Sequence, residues 1–438
     1  MSKKSISRLL FATICGILFL SSFDAPTKEA VYAVEKKQVE RHYRDLLEVG
    51  VRSFHEWLVT ARLLDSRRIT LKQAKKKFAE TRKTYKTIEF LVAYLEEEDV
   101  EEFINGGPFP TADNAANAAN LLKINPPCGL QTIEKQLFSD TINTRKIVLL
   151  SQKLLIDFQE IAERQERQPL DEQIILEAVR LNIIRAATIG ISGGDAPESG
   201  NAIDETDTSL SSMFATIVPY LSAYLRKDEA KATKLILLMQ QTHDYLNQHT
   251  DFDTFNRLKF IHDFANPLFA ELLTLQKTLN IEVNPSTLAQ ETAVNLLSSN
   301  IFAPDFLNKP FFTKLKPEDS RKEVADLGKI LFFDPILSAN NRRACASCHD
   351  PKLGFTDGKR KSIAFDLETT VPRNAPTVVN SIYAVKWFDD LRAASLETQI
   401  KGVVTSEKEF HSNYADILIK IIKSAEYKQL FRRAFGKR

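Results

Sequence analysis

The sequence predicts a mainly α protein, in which a long N-terminal helical bundle region is followed by a smaller C-terminal domain of different character. Three observations predict it. Glycine is scarce, at 14 of 438 residues, while leucine, alanine, lysine and glutamate are plentiful, a composition that favours helix. Apolar residues recur at three- and four-residue steps over most of the chain up to Thr287. Beyond a proline-bearing stretch the pattern changes, and short motifs become dense.

At 438 residues the chain is long enough for two or three domains with substantial cores. Lys+Arg 59 against Asp+Glu 57 leaves a net charge of +2, so no overall field marks it for nucleic acid or an anionic membrane. The four cysteines are Cys15, Cys128, Cys345 and Cys348, too few and too uneven for a disulfide framework.

Taken in order, residues 1–33 predict an export signal. Lys3, Lys4 and Arg8 form a basic start, and Leu9 to Leu20 is apolar except for Thr13 and Gly16. That run fits the ~7–15-residue core of a signal peptide and is short of the ~20 residues a membrane span needs. Cleavage fits after Ser21, Ser22 or Ala33, and an uncleaved membrane anchor is left open. Cys15 does not suit lipidation, because the large Ile14 precedes it and the apolar run continues past it.

Residues 34–300 read as a helical domain whose role the sequence does not reveal. Val39, Tyr43, Leu46, Phe54, Trp57, Leu58, Ala61 and Leu64 form one apolar stripe. Leu71, Ala74, Phe78, Tyr85, Ile88, Leu91 and Leu95 form a second, with Lys and Arg expected on its outer face. Asn105 to Pro110 is a turn, and further helices are expected near 142–165, 169–188, 208–226, 229–248 and 252–280. Ser192 to Ser209 is expected to be a solvated surface loop. His42, His55, His243, His249 and His262 fall in no metal-binding spacing and read as packing or surface residues. The run Arg82 to Phe90, followed by Asn105-Gly106-Gly107-Pro108, is faintly similar to the imelysin-like extensions ahead of some exported redox domains. That resemblance names no site.

A linker is expected over 301–314, and 315–438 forms the last domain. Its centre is Cys345-Ala346-Ser347-Cys348-His349. Two cysteines three apart share one face of a helical turn, so both thiols reach the two vinyl groups of one porphyrin. The following imidazole, His349, then becomes the proximal iron ligand. A zinc site would need further ligands, and no second paired cluster occurs. The motif therefore predicts one covalent haem c, which suits export because thioether attachment takes place outside the bacterial cytoplasm.

The flanking motifs carry a resemblance. They are Leu327 to Ser338, Asp350 to Gly358, Arg373-Asn374-Ala375-Pro376-Thr377, Asn380, Tyr383, Asp390 to Ala393, Ser395 to Gln399, Glu407-Lys408-Glu409-Phe410, and Tyr427 through Gly436. In this order 315–438 resembles the N-terminal haem domain of the bacterial di-haem cytochrome c peroxidase family, whose superfamily includes the methylamine-utilisation di-haem oxidases. The resemblance implies a cytochrome c-like fold and reduction of hydrogen peroxide to water in the periplasm. It implies electrons from a small cytochrome or cupredoxin, with a homodimer left open. Glu409 takes the place of the family's distal acid, moving a proton between the two peroxide oxygens; on residues alone, Glu407 and Glu409 are both helix-face glutamates. Asn374 matches a calcium-site asparagine. Arg373 and Arg392 are expected to pair with carboxylates or haem propionates, and Phe333 and Phe355 to line the haem pocket.

Three departures matter. No histidine lies between Thr356 and Pro372, where many family members place one that caps the iron. The iron is therefore expected five-coordinate or water-bound. The family's inter-haem tryptophan belongs at Asp389, whereas here Trp387 stands two residues earlier. The chain ends at Arg438, where the resemblance places a second haem domain. A truncated product is the leading expectation, with a second haem from another chain or a one-haem enzyme left open. Two rivals to the peroxidase remain: a methylamine-utilisation-like oxidase of a protein or organic substrate, and an electron carrier. The carrier needs a second axial ligand, and His411 is the downstream imidazole.

Overall fold

The computed structural model describes residues 32–113, 123–283, 292–313, 321–388 and 392–436. The expected signal segment lies outside these, apart from Tyr32 and Ala33. The chain is mainly α, as expected, and divides into two compact units.

Of the described residues, the first unit comprises 32–110, 125–283 and 296–306. Helix α1 (Ala33–Asp65) buries Val39, Tyr43, Phe54, Trp57, Leu58, Ala61 and Leu64 of the stripe read from the sequence, with Leu47 buried in place of the expected Leu46. Helix α2 (Leu71–Lys86) starts at a capping box, in which Thr70 Oγ1 accepts from Gln73 N–H at 3.3 Å and Gln73 Oε1 accepts from Thr70 N–H at 2.8 Å. Then follow α3 (Glu89–Leu95), α4 (Gly129–Phe138), α5 (Thr144–Gln165), α6 (Glu172–Arg185), α7 (Ala202–Thr216), α8 (Val218–Lys227), α9 (Glu229–Gln248) and α10 (Asn266–Thr278). Phe54 meets Phe158 of α5 edge-on at 4.8 Å. Gly50 permits this approach, because a Cβ there would stand 2.5 Å from Ile88 Cδ1 and 2.9 Å from Phe158. No helix among the described residues is long and apolar enough to cross a membrane.

Two expectations for this unit are corrected. The segment 192–209 is only in part a solvated loop: Glu198 is exposed, but Asp195 is 3% and Glu205 1% exposed, and α7 begins inside the segment. The cations of α2 do not all face outward either, since Arg82 and Lys86 are buried. Arg82, Lys86, Asp195 and Glu205 have each found an opposite charge. Arg82 Nε and Nη2 donate to Glu205 at 2.7 and 2.8 Å, and Lys86 Nζ donates to Glu89 at 2.6 Å and also to Asp195. Buried charges persist only when paired in this way. Residues 301–306, expected in the linker, pack with this unit: Phe306 is buried and meets Phe269 at 5.6 Å. Just before them, Arg180 donates to the carbonyls of Leu296 and Ser298.

Of the described residues, the second unit comprises 307–313, 321–388 and 392–436, with 111–113, 123–124 and 292–295. Helix α11 (Lys322–Phe333) packs against α14 (Ala425–Phe435), with Leu327, Tyr427 and Ala434 buried between Val324, Leu331, Ile421, Leu430 and Phe431. Between them lie short turns, α12 (Leu396–Thr405) and α13 (Tyr414–Lys423). Lys420 of α13 reaches into the turn after α11, donating to Ile336 O at 3.2 Å, Ser338 O at 2.6 Å, Ala339 O at 3.5 Å and Asn341 Oδ1 at 2.7 Å. The ammonium thereby fixes the stretch that leads into the cysteine motif.

Candidate haem site

Cys345 to Ser347 form one 3₁₀ turn. Cys348 N–H and His349 N–H both donate to the Cys345 carbonyl, at 3.1 and 3.0 Å, so the two cysteines and the histidine are held on one tight loop. Neither thiol is in a disulfide, and burial pushes both above the usual cysteine range.

The histidine is oriented by its backbone neighbour. His349 Nδ1 lies 3.1 Å from the Phe355 carbonyl, which can only accept, so the proton sits on Nδ1 and Nε2 keeps its lone pair. That tautomer is the one an iron requires. The aromatic wall beside the imidazole is built from Phe332, 6.4 Å from it between centroids, and Phe355, 6.1 Å from Phe332. Of the two phenylalanines expected to line a haem pocket, Phe355 stands in this wall, and Phe333 is 46% exposed beside Phe332, 5.3 Å away between centroids. Phe332 was not anticipated.

Glu409 is half-buried, whereas Glu407 is exposed. Burial raises the Glu409 carboxyl above its usual range. A Ser406 hydrogen bond and the charges of Arg343, Arg392 and His349 pull it back. The Cys348 thiol in turn feels the Glu409 charge. The structure thus brings Glu409 into the electrostatic neighbourhood of the haem turn. Arg343 was not anticipated. It is 7% exposed, and its Nη2 donates to the Ala364 carbonyl at 2.6 Å.

The remaining predicted residues are more peripheral. Asn374 is exposed, and among the described residues no group of three or more His, Cys, Asp or Glu is placed to hold a metal ion. The Arg392 guanidinium lies 3.7 Å from the Phe388 ring centroid. His411 is exposed and stacks on Phe365 at 5.5 Å. Trp387 donates from its indole to Ser381 O at 3.2 Å; the Asp389 position lies outside the described residues.

Two thiols on one turn, a tautomer-fixed imidazole, an aromatic wall and a nearby acid fit a c-type haem. Comparison with known proteins agrees. The family model described as di-haem cytochrome c peroxidase matches residues 322–438. Over this segment the chain is similar to the di-haem cytochrome c peroxidase family. The chain is similar to methylamine utilization protein MauG of Methylorubrum extorquens, 35% identical over 149 residues, covering 34% of this chain and 40% of the relative. It is similar to cytochrome c551 peroxidase of Nitrosomonas europaea, 39% identical over 121 residues, covering 27% and 35%. It also resembles cytochrome c551 peroxidase of Pseudomonas aeruginosa, 33% identical over 168 residues, covering 38% and 47%. The chain spans less than half the length of these relatives. The helical unit lies almost wholly outside the family match.

Proposed function

We propose that the protein is an exported c-type haem peroxidase that reduces hydrogen peroxide to water, with electrons from a small cytochrome or cupredoxin. Cys345 and Cys348 would hold the ring, and His349 would bind the iron. The haem, when bound, supplies the electrons that split the peroxide O–O bond. Two electrons and two protons entering per peroxide give two waters. The chain's own contribution is the placement of protons: Glu409 takes one from the inner peroxide oxygen and returns it to the leaving one. The observation that carries this proposal is the half-buried Glu409 carboxyl beside the haem turn, with Glu407 turned to solvent. Export to the periplasm is part of the same proposal, as are the single haem and the signal over 1–33. Calcium at Asn374 is not included.

The test is steady-state peroxide consumption by the haem-loaded full chain with a reduced cytochrome or cupredoxin. Turnover that depends on Glu409 supports the proposal, and no reaction with peroxide overturns it. A second reading is a methylamine-utilisation-like oxidase. It is favoured by the similarity to MauG and by the absence of histidine between Thr356 and Pro372. Such an enzyme turns over poorly with reduced cytochrome, so the same assay separates the two.

A further inference from the structure

The turn that carries Glu409 is held from outside as well as from within. Inside it, Glu409 N–H and His411 N–H donate to Ser406 O at 3.1 and 2.9 Å, and Ser412 N–H donates to Val404 O at 3.0 Å. His411 nevertheless has a left-handed backbone at φ +48°, a region that a residue with a Cβ keeps only when its surroundings over-determine it. Two hydrogen bonds supply that constraint, one on each side of Glu409. Phe365 N–H donates to Lys408 O at 2.7 Å, and Ala339 N–H donates to Phe410 O at 3.0 Å. They come from two separate stretches of chain, one before the cysteine turn and one beyond it.

Both stretches meet at Arg343, two residues before Cys345. Its backbone N–H donates to Ser338 Oγ at 3.2 Å, next to Ala339. Its Nη2 donates to Ala364 O at 2.6 Å, next to Phe365. Ser338, Arg343, Ala364 and Phe410 are 0%, 7%, 1% and 4% exposed, so little water competes for these contacts. The guanidinium is felt at the acid as well. Burial raises the Glu409 carboxyl and a Ser406 hydrogen bond lowers it; the Arg343 charge then lowers it further, ahead of those of Arg392 and His349.

We infer that Arg343 is a positioning residue: through Ser338–Ala339 on one side and Ala364–Phe365 on the other, it fixes where Glu409 stands relative to the cysteine turn and to a haem bound there. Arg343 acts through Glu409. It puts the proton acceptor and the two thioether positions on one frame, and a carboxyl displaced by about 1 Å would lose much of its effect. The inference rests on the proton-transfer role proposed for Glu409, but not on peroxide being the substrate.

The experiment is stopped-flow binding of cyanide to the ferric, haem-loaded full chain at neutral pH. Hydrogen cyanide sheds its proton as the anion binds iron, and Glu409 is the acceptor, so the rate reports that carboxyl without turnover or an electron donor. Glu409→Gln is expected to slow binding about 10²-fold or more. Arg343→Met is expected to slow it about tenfold or more when Glu409 is present. In the Glu409→Gln background the same substitution should change the rate by less than about twofold. Arg343→Lys, which keeps the charge and a donor for Ala364 O, should recover part of the rate, with the haem spectrum unchanged throughout. Ser338→Ala removes the other arm with a smaller change, and carries the same cycle if Arg343→Met does not take up haem. Equal slowing in both backgrounds overturns the inference, because Arg343 would then act on the fold or on the haem directly. So does an unchanged rate in Arg343→Met. If Glu409→Gln is itself without effect, the role proposed for Glu409 falls and this inference falls with it. If the cycle shows the coupling but peroxide is not consumed, only the proposed activity falls and the role of Arg343 stands.

Discussion

His349 Nδ1 donates to the carbonyl of Phe355 at 3.1 Å, and Phe355 presents that carbonyl from a left-handed backbone with φ +61°. Gly354 before it is also left-handed, at φ +63°. For a residue with a Cβ this conformation costs about 1–2 kcal/mol. It persists because the turn from Asp350 to Thr356 closes around it: Phe355 N–H donates to Asp350 O at 2.8 Å, and Asp350 N–H to Thr356 O at 3.0 Å. Comparing two variants that both lose the ring isolates the backbone cost. Phe355→Asn tolerates the left-handed region, whereas Phe355→Val does not. The Val variant should be less stable than the Asn variant by about 1–2 kcal/mol, read by urea melts of the haem-loaded protein.

The two glutamates of the 407–410 turn should behave differently. Glu409→Gln keeps the size and removes the proton acceptor, so peroxide turnover should fall about 10²–10⁴-fold. The haem spectrum should not change. Glu407→Gln, on the exposed side, should leave turnover as it was. Equal effects from the two substitutions would remove Glu409 from the mechanism.

Single-thiol variants test the attachment directly. Cys345→Ala or Cys348→Ala leaves one thiol on the turn, so haem should stay covalently bound through one thioether. The pyridine haemochrome band should then shift to longer wavelength, towards that of a haem with one free vinyl group. The double variant should lose haem on acid–acetone extraction.

The charged cluster in the helical unit predicts an acid limit. Burial raises the Glu89 carboxyl, but Lys86 and Arg185 outweigh it and hold it at about 2. A carboxylate held below its unfolded value near 4.5 contributes its full stabilisation above pH 4.5. It loses that stabilisation as the pH falls towards 2. Helical signal at 222 nm should therefore melt at progressively lower temperature between pH 5 and 3. Arg82→Met would strand Glu205 without its guanidinium partner and should cost about 3–5 kcal/mol at neutral pH. Lys231→Glu, on an exposed side chain, provides the control.

How far the sequence carried depended on what each residue advertises. The helical stripes of α1 and α2 were readable because burial repeats with the helix period, and the cysteine motif because its spacing is set by a porphyrin. Arg82, Lys86, Asp195 and Glu205 were misplaced at the surface. Residue type marks a charge as polar, but the partner that permits its burial lies over a hundred residues away. Phe332 went unnoticed for a related reason, since a helix end fixes which side chain meets the histidine only through its tertiary contacts. The left-handed backbone of Phe355 left no trace beyond the glycine before it.

Lys420→Met should loosen the turn that feeds the haem motif. Its ammonium donates to Ile336 O, Ser338 O, Ala339 O and Asn341 Oδ1, and hydrogen bonds to a charged group contribute about 1.5–3 kcal/mol. The variant should melt earlier, read by calorimetry of the haem-loaded protein, and Lys420→Arg should recover part of the loss.

Oxygens gathered from a loop in this manner are what a bound divalent ion would ask for, and here the positive centre is tethered to the polypeptide. It cannot be diluted away or stripped by a chelator. The approach to the cysteine turn therefore holds its shape without a bound metal ion.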